Sequence, residues 1–140
     1  MSAYELVHVV GFEETNLVGN VYFVNFIKWQ GRCREMFLHD HAPGLLEMLR
    51  GELALVTTHC QCDFLAEIQP FDTLRIKMKF GGLSQNRLRI KFEYWRETPG
   101  PRMLAGRGEQ GIACMKRTPK GLQPETFPRI FTDALKPFMA

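Results

Sequence analysis

Two short runs constrain this chain more than anything else in it. Leu74, Ile76, Met78 and Phe80 alternate with Arg75, Lys77 and Lys79; Leu88, Ile90, Phe92 and Tyr94 alternate with Arg87, Arg89, Lys91 and Glu93. A period of two sends apolar side chains to one face and charges to the other, so each run reads as a strand with one buried and one wet face. Gly81 to Asn86 supplies the hairpin connection between them. A one-sided sheet needs a cover, and the chain offers one long candidate. From Val21 to about His41, Phe23, Phe26, Ile27, Cys33 and Phe37, with Trp29 and Met36 alongside, recur at the three- and four-residue spacing of a helical face. Asn20 is expected as its N-cap, Pro43-Gly44 lies past its end, and Gly31 weakens its interior.

The other elements arrange themselves around this pair. Tyr4 to Gly11 reads as a strand and Phe12 to Asn20 as a loop. Glu52 to Ile68 alternates with Ala54, Val56, Thr58, Cys60, Cys62, Phe64, Ala66 and Ile68 on one side, which predicts a long, bent strand. Met103 to Lys116 completes the set, with Gly106, Gly108 and Gly111 where bending or close backbone approach is expected. The expected architecture is α+β: a five-stranded antiparallel sheet wrapped around one long central helix. A single domain spans residues 1–119, and residues 120–140, of little periodicity, form a C-terminal tail. The strand at Ala54–Ile68 is an edge, and a homodimer whose sheets continue across a two-fold axis would pair it and set each helix start near the neighbouring subunit.

Composition excludes several classes. A chain of 140 residues fits one core, and a net charge of 18 − 15 = +3 is too small and dispersed to argue for nucleic acid. No run approaches the ~20 apolar residues of a membrane span, and the N-terminus lacks a basic region leading into a signal core, so the chain reads as cytoplasmic. Cys33, Cys60, Cys62 and Cys114 read as reduced thiols in buried segments, and the Cys60/Cys62 pair lacks zinc spacing. His39-Asp40-His41 suits a helix C-terminus without a metal. Ser2 and Ser84 are the only serines and neither sits in a nucleophile elbow. No cofactor is expected.

The segment Phe12–Leu38 carries the chemistry. A polar loop delivers the chain into a helix N-terminus, whose free amides favour a developing oxyanion; the same residues also serve simply to cap and solvate a loop. Thr15-Asn16-Leu17-Val18-Gly19-Asn20-Val21-Tyr22, followed by Asn25 and Trp29, resembles the hydroxybenzoyl-CoA thioesterase branch of the hot-dog fold, with its Asp-x-x-Gly-x-Val-aromatic signature. The run from Gly11 to Phe37 is similar to the small thioesterases that accompany iterative enediyne polyketide synthases. Asn16 stands where that signature has its catalytic Asp, and an amide is no base or nucleophile at neutral pH.

The resemblance implies a set of roles. Asn16 and the backbone N–H of Phe23 form an oxyanion hole, and Arg34 is the essential cation, whose alternative use is a surface pair with Glu35. Glu14, where many relatives carry an acidic residue, orients Asn16 or polarises water, or is a solvated loop carboxylate. Tyr22, Gly19 and Phe26 lie against the substrate, with Tyr22 equally an aromatic plug, and Thr57 and Thr58 reach in from a partner subunit. The implied activity is hydrolysis of a polyene or β-ketoacyl chain from the phosphopantetheine arm of a polyketide synthase acyl carrier domain. The β-keto acid product then loses CO2 to leave a methyl ketone. The implied assembly is a dimer or a dimer of dimers (a homotetramer). Two further readings stand beside this one: a general acyl-CoA thioesterase with Glu14 as base, and a non-catalytic acyl-binding module. The cations of the two alternating runs make a solvated face or a dock for the acidic carrier.

Overall fold

The structure is a computed structural model that describes residues 2–140. Strand β1 (Tyr4–Val9) is followed by a 3-10 turn at Phe12–Glu14 and the 18-residue helix α1 (Val24–His41). A short helix α2 (Pro43–Met48) leads into β2 (Leu53–Phe64), β3 (Thr73–Gly81), β4 (Arg87–Thr98) and β5 (Met103–Thr118). All pairings are antiparallel, in the order β1-β3-β4-β5-β2, and α1 packs on one face of this sheet. The five expected strands and the covering helix are all present.

The two alternating runs behave as their period demands. Leu74, Ile76, Met78, Phe80, Leu88, Ile90, Phe92 and Tyr94 are all buried against α1, which contributes Phe26, Trp29, Cys33 and Phe37. Phe37 meets Phe80 edge-on with ring centroids 4.8 Å apart, and Tyr94 Oη donates to the Phe26 carbonyl at 2.7 Å, tying the first turn of the helix to the sheet. Glycines in β5 let the helix come this close: a Cβ at Gly106 would lie 3.0 Å from the Asp63 carbonyl oxygen, and one at Gly108 would run into Gln30 Nε2.

Three features depart from the sequence reading. Helix α1 begins at Val24 behind Phe23, with no side-chain cap, so Asn20 is not its N-cap. The hydrogen bonds of the preceding loop, described below, fix the start instead. In β2 a bulge at Thr58 shifts the register between Thr57 and His59. A Cβ at Gly111 would lie 2.7 Å from Thr58 Oγ1 and 3.0 Å from His59 Nδ1, so both residues stand over that glycine on the outer face. The bulge reverses parity: Leu53, Leu55 and Thr57 share the helix-facing side with Cys60, Cys62 and Phe64, where Ala54, Val56 and Thr58 were expected. Finally, residues beyond Thr118 are ordered against the core. Strand β6 (Gly121–Pro124) pairs with β5, and α3 (Arg129–Leu135) buries Phe131 and Leu135 beside Phe127.

The loop before α1 is held by Glu14. Its Oε1 accepts from the Gly11 amide at 2.8 Å and pairs with His8 Nε2 at 2.7 Å, while Oε2 accepts from Trp29 Nε1 at 2.8 Å. Its carbonyl oxygen accepts from the Tyr22 amide at 2.9 Å and Asn25 Nδ2 at 2.7 Å. One residue thus ties β1, the loop and α1 together. Burial pushes the Glu14 carboxyl up, but the bonds from Gly11, His8 and Trp29 outweigh it, and the group sits below its ordinary value of 4.5.

Two expectations follow for stability. Gly108→Ala forces Gln30 away from its 3.0 Å bond to the Gln61 carbonyl and lowers stability by roughly 1–3 kcal/mol, measured by urea unfolding. Glu14→Gln leaves one of three donors facing an NH2 and costs about 1–3 kcal/mol at pH 7 by the same measurement. Because folding lowers the Glu14 pKa, the unfolded chain takes up its proton first. This stabilisation is therefore full above pH 4.5 and is lost as pH falls through the folded-state value. Glu14→Gln has no such loss, so its stability falls less steeply than the wild type's on the acid side.

Candidate active site

The loop that Glu14 anchors is a small hairpin. Thr15 bridges Val21, the Asn16 amide donates to the Asn20 carbonyl at 2.9 Å, and the Gly19 amide returns to the Asn16 carbonyl at 3.0 Å. Gly19 closes this turn at φ +87°, a conformation that L side chains rarely adopt. Asn16 Oδ1 accepts from the Val18 amide at 3.0 Å, so the side-chain carbonyl is held back and Nδ2 is the end left to donate. The amide of Phe23, at the open start of α1, donates to no group among the described residues. Asn16 and Phe23 line one pocket of about 430 Å³ together with Phe26, Phe64, Leu65 and Glu67. The structure therefore brings Asn16, Phe23 and Phe26 to the wall of one pocket.

Arg34 is elsewhere on the same protomer. It lies eleven residues beyond Phe23 along α1, an axial rise of about 16 Å. It lines a larger trough of about 700 Å³ with Leu38, Leu46, Leu49, Leu53 and Leu55. Its Nη1 donates to Thr57 Oγ1 and to Gln110 Oε1, each at 3.1 Å. Glu35 is not its partner: it approaches Arg32, at 3.9 Å. No carboxylate lies within 4.0 Å of Arg34 among the described residues. Burial pulls the guanidinium pKa down and the charge of Glu35 acts the other way, while the group itself stays charged. A half-buried cation without a counter-ion among the described residues is a feature that marks a candidate functional group.

The remaining candidates separate. Thr57 faces Arg34, whereas Thr58, one residue on, is turned to the outer face by the bulge. Tyr22 is exposed with its ring against Phe23, centroids 5.0 Å apart, and lies off the pocket wall. The Glu14 carboxylate is taken up by His8, Gly11 and Trp29, and the carboxylate on the pocket wall is Glu67. Cys33 and Cys114 are buried, but Cys60 is exposed on the edge strand, against expectation, because β2 has no neighbour on that side. Burial pushes the Cys33 thiol up to about 12, which keeps it protonated. In His39-Asp40-His41, Asp40 accepts from Tyr4 Oη at 2.6 Å and the His41 ring packs on Tyr4 and Phe37. On the outer face Arg75 pairs with Glu5 and Glu97, and Arg89 approaches Glu109; Lys79 stands directly opposite Lys91.

Two parts of the site escaped the sequence reading. Gln110 occupies an inward position of β5, between Gly108 and Ile112, and is 4% exposed. A glutamine at an inward position of a strand is itself a signal, since a buried amide needs partners. The wall formed by Phe64, Leu65 and Glu67 carries no such mark, because the alternation of β2 continues past the point where the strand ends.

Comparison with known proteins bears on what such a site does. Residues 10–136 match the model of a family described as the thioesterase-like superfamily. Among solved structures, the dynemicin thioesterase, whose crystal structures reveal induced-fit and allosteric effects upon polyene binding, superposes with a TM-score of 0.96 at 46% identity. The match covers 99% of this chain and 98% of that one. The 4-hydroxybenzoyl-CoA thioesterase of Pseudomonas sp. strain CBS-3 superposes at a TM-score of 0.82 and 17% identity, covering 96% and 99% of the two chains, a likeness of fold. A 1,4-dihydroxy-2-naphthoyl-CoA hydrolase of Prochlorococcus marinus (strain MIT 9303) is 28% identical over 94 residues. The match takes in 61% of this chain and spans 62% of that protein's length. Among the described residues, no helix is long and apolar enough to cross a membrane. With its antiparallel sheet, its covering helix and a family match over residues 10–136, this chain is a hot-dog protein and belongs to the thioesterase-like superfamily.

Proposed function

We propose that this protein is a thioesterase that releases a polyene or β-ketoacyl chain from the phosphopantetheine arm of an acyl carrier domain of an iterative enediyne polyketide synthase, in the cytoplasm. The observation that supports the reading is that Asn16 and Phe23, whose Nδ2–H and backbone N–H donate to nothing among the described residues, line one partly apolar pocket together. Donors aimed at a developing oxyanion are the largest single contribution to acyl-transfer catalysis. Water or hydroxide attacks the thioester carbon, and the tetrahedral oxyanion is held by those two donors. The C–S bond then breaks, with the thiolate leaving as the pantetheine thiol and the acyl group as a carboxylate. Arg34 stabilises the charge and holds the carboxylate. A β-keto acid so formed loses CO2 to give the methyl ketone.

Assembly as a dimer unites the two halves of this site. Strand β2 is a free edge of 12 residues, and antiparallel pairing with a second copy over its whole length sets Leu53 opposite Phe64 of the partner subunit. The pocket of Asn16 and Phe64 then abuts the trough that holds the partner subunit's Arg34, with the leucines of the trough available to an extended apolar chain. Two such dimers forming a tetramer are compatible with this arrangement. The carrier docks through Lys77, Lys79 and Lys91, which lie with Glu5 and Glu93 in one outer groove and make no ion pair within 4.0 Å among the described residues. A general acyl-CoA thioesterase with Glu14 as base is less well supported, since three donors already occupy that carboxylate.

Single-turnover release from a loaded carrier tests the reading. Asn16→Ala and Arg34→Ala are each expected to slow release by ~10²-fold or more, with simple acyl-CoA hydrolysed slowly by the wild type. Glu67→Gln is expected to stay close to the wild-type rate, far from the ~10²–10⁴-fold loss that removing a general base causes. A wild-type rate no faster than the uncatalysed one, with the chain still bound, makes the protein an acyl-binding module. A Lys79→Glu/Lys91→Glu double variant is expected to lower kcat/KM for the carrier-bound chain ~10-fold at low salt, with the gap closing as salt is raised.

A further inference from the structure

We propose that Gln110, with Thr57, is the positioning residue that leaves the charge of Arg34 uncompensated and turns one edge of its guanidinium toward the ligand carboxylate. The proposal rests on the reading of Arg34 given above. Nη1 carries two N–H groups, and the two acceptors at 3.1 Å, Thr57 Oγ1 and Gln110 Oε1, take both. Nε–H and the N–H groups of Nη2 donate to nothing among the described residues, and neither nitrogen is a buried orphan. Nε and Nη2 share one edge of the guanidinium plane, and that edge forms the two-pronged fork that matches a carboxylate.

The choice of acceptors matters as much as their place. Both are neutral. A carboxylate at either position would hold Nη1 more tightly but would cancel the charge before the ligand arrived, inside a half-buried trough where charge is poorly screened. An amide holds direction without cancelling charge. Gln110 can do this because its surroundings fix it. It is 4% exposed on β5, flanked across the sheet by Cys60 and Ile90, and its oxygen must face Arg34 because a guanidinium offers only donors. Thr57 reaches the same nitrogen only because the bulge at Thr58 puts residue 57 on the helix-facing side.

Equilibrium binding of a polyenoic acid and of its primary amide, of equal chain length, separates charge from packing. The wild type is expected to prefer the acid, and Arg34→Ala to lose that preference. Gln110→Glu is expected to cut the acid-to-amide preference by ~10-fold or more while leaving amide affinity and Tm unchanged, because it neutralises the guanidinium it still holds. Gln110→Leu keeps the volume and removes the acceptor. It is expected to lower kcat by ~10- to 100-fold at nearly constant KM for the thioester, and it carries the test should Gln110→Glu fail to fold. The proposal is overturned if Gln110→Glu, or in its place Gln110→Leu, retains wild-type behaviour while Arg34→Ala abolishes acid preference. If Arg34→Ala also keeps the preference, Arg34 does not meet the carboxylate, and the reading of the site falls together with this inference.

Discussion

The Glu14 carboxylate is the interaction on which the rest of the site depends. Three donors from three different segments converge on it: the Gly11 amide from the turn, Trp29 from α1 and His8 from β1. Removing a carboxylate from water is costly, and three charge-assisted bonds offset that cost only if all three segments hold their places together. The same residue fixes Tyr22 and Asn25 through its backbone carbonyl. The distance between the Asn16 hairpin and the open amide of Phe23 is therefore set by Glu14, although its own side chain is turned away from the pocket.

A second constraint comes from the sheet. Helix α1 can approach β5 closely because Gly106 and Gly108 present no side chain, and Tyr94 then reaches the first-turn carbonyl of Phe26. Close approach has a consequence for polar residues on the buried face of the helix. Gln30 sits over Gly108 and donates to the Gln61 carbonyl; one turn on, Arg34 finds Gln110 and Thr57. The helix thus carries an apolar stripe of Phe26, Trp29, Cys33 and Phe37 beside a polar one, and the polar stripe runs along the edge strand β2.

Period and composition made the sheet legible, because burial on one face and water on the other leave a signature that no local detail can hide. The eight inward residues of β3 and β4 were all readable in this way. What was not readable depends on backbone events without a compositional mark. The bulge at Thr58 reverses the parity of half of β2, and only the presence of Gly111 opposite hints at it. The cap expected from Asn20 fails because the hairpin closed by Gly19 takes that residue's carbonyl to the Asn16 amide, leaving the helix to begin later. The tail looked aperiodic because its buried residues, Phe127, Phe131 and Leu135, are spread over one short helix and its approach. In the candidate site, Asn16, Phe23 and Arg34 were named through resemblance alone. The acceptors of Arg34 were not, since Thr57 and Gln110 are 53 residues apart in sequence and are brought together by the pairing of β2 with β5.

Charge gives the site its internal logic. On the proposed reading, an Asp at position 16 would set a full negative charge beside the thioester carbonyl oxygen, where negative charge also develops during attack by hydroxide. An amide there donates instead of repelling, provided its oxygen is kept away, and the Val18 amide does that. The same preference recurs at Arg34, where two neutral acceptors stand in place of a carboxylate. The carboxylate that could have served as a base, Glu14, is already occupied by three donors that hold it in its charged form. Each substitution raises the local potential felt by an anion and lowers the capacity of the protein to take up a proton. On the proposed reading, such a site stabilises charge rather than moving protons, and its rate is then set by the supply of hydroxide and by how well the oxyanion is held.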